Sequence, residues 1–155
     1  MINRNCNAVL PSGGEHQKED LDLLSSANDL VDEVRSAMER QALNEALETI
    51  WRVIRAANVY VDHQAPWKLK ATDQQRMETV LFVLAELIRK VAILMQPFVP
   101  SSAGQILDQL CTPEEERKIK YVKGTRKMEE SILLPKPSGV FPRYTDEIAS
   151  ESSKV

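Results

Sequence analysis

Trp67 stands between Pro66 and Lys68, with Lys70 two residues further on, and this short group holds the most specific chemistry in the chain. An indole fixed beside a proline offers a flat apolar face, and single-stranded nucleic acid is bound by splaying bases onto such faces. Lys68 and Lys70 would then approach the backbone phosphates. On residue types alone a structural use is slightly preferred: a surface tryptophan folded back onto a neighbouring helix. Asn58, Tyr60 and Asp62 precede the group at alternate positions. Asn58 is expected to bond loop backbone near Pro66 in preference to a base, and Asp62 to cap or bond the same loop. Trp51 has helical spacing with Leu47 and Ile54 and is expected in the core.

Other chemistry is hard to assemble from these residues. Cys6, Cys111, His16 and His63 each stand alone, so no metal site is expected and the cysteines should be reduced. No catalytic nucleophile with a base beside it stands out. Glu114, Glu115 and Glu116 suit a helix N-terminus, where the dipole favours carboxylates. Residues 117–127 include six basic side chains in eleven. A phosphate-facing patch and a solvated face fit that run equally well.

Helices must position residues 66–70. Apolar residues at Leu23, Leu24, Ala27, Leu30, Val31, Val34, Ala37 and Met38 predict one over 20–39. A second is predicted over about 42–61, with Leu43, Ala46, Leu47, Ile50, Val53, Ile54 and Ala57 inward. Pro66 interrupts the ladder, so 62–71 reads as a loop. Thr72-Asp73-Gln74-Gln75 has the form of a capping box and opens a third helix that Pro97 stops. Its surplus of apolar residues predicts the deepest burial. A fourth helix starts at Ser101, and Thr112-Pro113 starts a short fifth.

The chain then divides as follows. Residues 1–18 read as the remnant of a first helix and a linker, ending in Pro11-Ser12-Gly13-Gly14. Residues 19–122 form an all-α, mostly antiparallel helical bundle. Residues 123–145 make an extended C-terminal strap, with a turn at Lys123-Gly124-Thr125 and an apolar anchor at 140–144. Residues 146–155 are a frayed tail.

With 155 residues, 43% hydrophobic and 28% charged, the composition is that of one globular domain with a real core. The formal net charge of −3 excludes a basic footprint over the whole domain. Phosphate contacts must come from a local patch. The most apolar stretch, 80–95, is broken by Glu86, Arg89 and Lys90 and cannot span a bilayer. No signal peptide is visible, and a cytoplasmic protein without a membrane partner is expected.

Four stretches carry a resemblance. Glu45-Ala46-Leu47-Glu48-Thr49-Ile50-Trp51 is the first, and Ala57-Asn58-Val59-Tyr60-Val61-Asp62-His63-Gln64-Ala65-Pro66-Trp67 the most specific. Ile93-Leu94-Met95-Gln96-Pro97-Phe98-Val99-Pro100 and Gly139-Val140-Phe141-Pro142-Arg143 follow. In order and spacing, over about residues 1–145, they resemble the anticodon-binding domain of bacterial methionyl-tRNA synthetases, a class I family. The resemblance implies that Trp67 stacks on an anticodon base while Pro66 shapes the ledge beside it. It implies two partners, a methionine tRNA with anticodon CAU and the catalytic domain of the parent synthetase.

Two departures from the family shape the expectation. Its other anticodon-reading pair, an Asn and an Arg four positions apart, lies on a helix preceding the stretch aligned with Met1. The chain is expected to begin partway along that helix and to carry half of the recognition site. The family's catalytic domain also lies upstream, so ATP and zinc belong to that domain and no cofactor or adenylation is expected here. Lys127-Met128-Glu129-Glu130-Ser131 shares three letters with the family's KMSKS loop and reads as coincidence. A non-catalytic protein-interaction or structural helical domain is the alternative, and a free-standing editing or transfer enzyme has the least support.

Overall fold

Three long helices make the frame, each with a stripe of apolar residues at helical spacing turned toward the other two. In the computed structural model, which describes residues 1–123 and 128–141, these are α2 (Lys18–Glu39), α3 (Leu43–Gln64) and α5 (Gln74–Met95). A short α1 (Ile2–Asn5) precedes them, α4 (Pro66–Thr72) links α3 to α5, and α6 (Pro100–Gln109) follows. α2 and α3 form an antiparallel hairpin, α5 packs on both, and α6 packs on α5. Leu30, Ile50, Val80, Val83, Ile93 and Leu107 are completely buried where the helices meet.

No strand occurs among the described residues. A single bridge joins Val9 to Leu133. Beside it, the Leu10 N–H donates to the Ile132 carbonyl at 2.9 Å and the Leu134 N–H to the Ala8 carbonyl at 2.7 Å. The start of the chain and the extended strap therefore hold each other. Leu10 and Met128 pack there against Phe82 and Ala85 of α5. Residues 124–127, with most of the turn expected at 123–125, the end of the 140–144 anchor and the tail lie outside the described residues.

Several boundaries differ from expectation. Residues 62–71 are not a loop: α3 continues to Gln64, and α4 starts two residues later at Pro66. Proline stops a helix that enters it but is well suited to the first position of the next, where no N–H is required. Thr72 closes α4, and it is Asp73 that caps α5, its carboxylate accepting from the Arg76 N–H at 2.9 Å. The fifth helix is only a 3₁₀ turn, Glu114–Glu116, beyond which the Arg117 side chain folds back onto the Thr112 carbonyl at 2.9 Å. Leu43 is exposed at the open end of α3.

The three charges that interrupt 80–95 are buried as well. Arg89 donates from Nε and Nη2 to Glu86 at 3.1 and 2.5 Å, and Lys90 reaches the Asn28 side chain of α2 at 2.5 Å. Glu86 also accepts the Met128 N–H at 3.1 Å. This cluster pins the strap to the most apolar helix. No helix among the described residues is long and apolar enough to cross a membrane.

Candidate nucleic-acid interface

The elbow that carries Trp67 is made by one residue. Ala65 adopts a left-handed conformation, φ 43° and ψ 58°, and its N–H closes the last turn of α3 on the Val61 carbonyl at 2.9 Å. That conformation costs an L-residue on the order of 1–2 kcal/mol, and it turns the chain so that α4 starts at once. Pro66 is buried at the first turn of α4, and Leu69 packs one turn later against the core. The next residue outward is Trp67, left 51% exposed. Its indole is thus not folded away, and Lys68 and Lys70 are exposed beside it. Among the described residues neither lysine is paired with a carboxylate, so both ammonium groups are available to an anion.

Beneath the elbow lies a buried polar network. Asp20 of α2, fully buried, accepts from Arg76 Nη1 and Nη2 of α5 at 2.5 and 2.8 Å and from the Tyr60 hydroxyl of α3 at 2.6 Å. The Gln17 N–H is a fourth donor, at 2.9 Å. Arg76 Nη2 also donates to Gln64 Oε1, at 2.8 Å, on the last residue of α3. Burial acts to raise the Asp20 carboxyl, but hydrogen bonds from Arg76, Tyr60 and Gln17 outweigh it and hold the group below the usual carboxylate range. Burial and the Asp20 carboxylate push the Tyr60 phenol above its ordinary value. Asp20 is therefore ionised, Tyr60 neutral and Arg76 charged, each satisfied by the others.

Tyr60 thus has a structural task, with its hydroxyl turned inward. Asn58 and Asp62 are exposed, and among the described residues neither side chain bonds the Ala65-Pro66 turn. Asn58 instead borders an apolar groove of about 670 Å³ between α3, α5 and α6. Trp51 lines that groove with Ile54, Ile88 and Met95, and it is 49% exposed rather than in the core. The core stripe of α3 is Ala46, Ile50, Val53, Ala57 and Tyr60; Trp51 lies on a second apolar stripe beside it. Phe141 of the strap borders the same groove and is 70% exposed. In the basic run, Arg117 bonds Asp108 at 2.7 Å, Lys123 pairs with Asp32, and Lys120 lies over the Tyr121 ring at 4.8 Å. Half of its six cations are thus engaged within the domain, and Arg126 and Lys127 fall outside the described residues.

The network of Asp20, Gln64 and Arg76 was not anticipated from the sequence, although a signal was present. Asp20 lies on the stripe of Leu23, Ala27 and Leu30, and Arg76 on that of Val80, Val83 and Leu87. Opposite charges on the apolar stripes of two helices predict a buried pair.

Comparison with known proteins gives the family of the chain. A family model for the anticodon binding domain of methionyl tRNA ligase matches residues 10–154. The chain is 43% identical over 147 residues to the methionine–tRNA ligase of Mesorhizobium japonicum, covering 95% of this chain and 28% of that protein. The Rhizobium meliloti ligase is 40% identical over 144 residues, with 93% and 28% covered. The solved apo form of Mycobacterium tuberculosis methionyl-tRNA synthetase aligns at a TM-score of 0.88 with 38% identity, over 94% of this chain and 30% of that one. Its form bound by methionyl-adenylate gives 0.87 and 37%, over 92% and 28%. This chain therefore spans about 28% of the length of the curated relatives it matches. By sequence and by fold, it belongs to the methionyl-tRNA ligase family, in the region of the anticodon-binding domain.

Proposed function

We propose that this domain docks the CAU anticodon loop of methionine tRNA, with the Trp67 indole stacked on one anticodon base. It would serve the attachment of methionine to that tRNA in the cytoplasm, the ATP-dependent chemistry belonging to the ligase's catalytic domain. The observation that carries this reading is the half-exposed indole on a fixed elbow, flanked by two exposed lysines that pair with no carboxylate among the described residues. One base stacked on an aromatic ring contributes on the order of 1–3 kcal/mol, and the elbow holds the ring before the RNA arrives. Lys68 and Lys70 supply the local positive charge that the net charge of −3 does not.

The apolar groove supports a second surface. Trp51, Ile88 and Phe141 together leave an exposed apolar patch along the groove, and such a patch suits an interface. In the proposed ligase the catalytic domain covers it. A non-catalytic interaction domain would use the same groove without RNA. A titration with stem-loops at low salt, where phosphate contacts are strongest, separates the two readings. The CAU loop should bind more tightly than a loop of different anticodon. Equal binding of both loops would leave only the interaction-domain reading.

A further inference from the structure

We propose that Gln64 is the positioning residue for the Trp67 platform, coupling the buried Asp20–Arg76 pair to the elbow from which the indole projects. The proposal rests on the stacking reading for its consequence, though not for its geometry. Arg76 Nη2 has two hydrogens, and both are used: one reaches Asp20 Oδ1 and the other Gln64 Oε1, each at 2.8 Å. Two residues separate Gln64 from Trp67. Ala65 sits in a strained left-handed conformation, and Pro66 has its φ locked by its ring. A strained residue holds its conformation only where its surroundings over-determine it. On the α4 side, the Leu69 side chain and the Lys68 N–H bond to the Ala65 carbonyl, at 2.8 Å, do this. On the α3 side, the side chain that ties the last residue to the body of the domain is Gln64.

The position of Gln64 lets this role be separated from stability. Without its amide oxygen, Asp20 still has both nitrogens of Arg76, the Tyr60 hydroxyl and the Gln17 amide, so the core pair survives. Only the end of α3 loses its tether. Arg76 is then placed to serve the elbow as well as the core.

The test uses the full chain carrying Trp51→Phe, which leaves Trp67 as the sole indole. Gln64→Met, similar in shape but without the acceptor, should add a fast local component to the Trp67 fluorescence anisotropy decay. It should weaken CAU stem-loop binding roughly threefold to tenfold, the range for one lost hydrogen bond, and lower Tm by no more than a few degrees. Gln64→Glu keeps an acceptor and should restore the immobility of the indole. Unchanged Trp67 motion in Gln64→Met would overturn the proposal. So would a large fall in Tm shared by Gln64→Glu, the mark of a purely structural role. If Gln64→Met frees the indole but Trp67→Ala leaves stem-loop binding unaltered, positioning stands and the stacking reading fails.

Discussion

Asp20→Ala should destabilise the domain by roughly 3–5 kcal/mol, the cost of leaving one partner of a buried ion pair alone. The substitution strands the Arg76 guanidinium and the Tyr60 hydroxyl inside a bundle where three helices meet. A loss of that size is a large share of the roughly 5–15 kcal/mol that a domain has in total, and a urea titration followed by circular dichroism would read it directly. The pH dependence adds a sign. The folded-state pKa of Asp20 is lowered, so its contribution is present above the unfolded value of about 3.9 and is lost as pH falls through the folded value. The gap between wild type and Asp20→Ala should accordingly close in acid. Tyr60 works in the other direction: its folded pKa is raised, so its contribution is present below about 10 and is lost as pH rises through the folded value. The double variant Asp20→Leu, Arg76→Met should regain most of the loss, because apolar residues of similar volume replace a buried pair at little cost. If the double variant is no more stable than Asp20→Ala, the stranded charge is not the cause.

Glu86→Ala should also destabilise the domain, by about 1–3 kcal/mol or more, because buried donors and cations lose a carboxylate further along α5. Glu86 faces the Arg89 guanidinium, Lys90 Nζ at 3.9 Å and the Met128 N–H at 3.1 Å. Its loss takes a carboxylate from beside two buried cations and removes the acceptor of the Met128 N–H on the strap. Hydrogen exchange should therefore speed up around Met128 and at the Leu10 N–H, while the amides of the Ala65 elbow stay protected. The deficit should shrink as pH rises. Burial already holds the Lys90 ammonium below its ordinary pKa, against the pull of Glu86, and without Glu86 it sheds its proton more readily. Uniform acceleration of exchange over the whole chain would show that the cluster is no separate anchor for the strap.

The two clusters explain which parts of the molecule were legible in the sequence. Periodicity identified the three long helices because each buries a continuous stripe. It failed at Trp51, since α3 is apolar over two adjacent stripes and spacing alone does not tell which one faces the core. Residues 62–71 escape it because Pro66 both ends one helix and opens the next, and periodicity does not register a seven-residue helix. Glu86, Arg89 and Lys90 marked 80–95 as unfit for a membrane, but a charge within an apolar helix says nothing about its partners, which come from α2 and the strap. In the candidate site, Trp67, Pro66, Lys68 and Lys70 were found from residue type and resemblance. The Asp20–Arg76–Gln64 support was missed because its members lie 44 and 12 residues apart and meet only in the folded chain.

The central claim is that the Trp67 indole is a platform for an anticodon base, and one titration tests it. A CAU stem-loop is added at low salt to the wild-type chain and to Trp67→Ala and Trp67→Phe, with a loop of different anticodon as control. Binding is followed by a label on the RNA, so that losing the indole does not remove the signal. Trp67→Ala should weaken CAU binding by roughly 1–3 kcal/mol, the worth of one base–aromatic stack, and Trp67→Phe should lose less because a smaller ring remains. Circular dichroism of both variants should match wild type, since half of the Trp67 surface is exposed and the core does not depend on it. CAU binding that is the same in wild type and Trp67→Ala would contradict the claim.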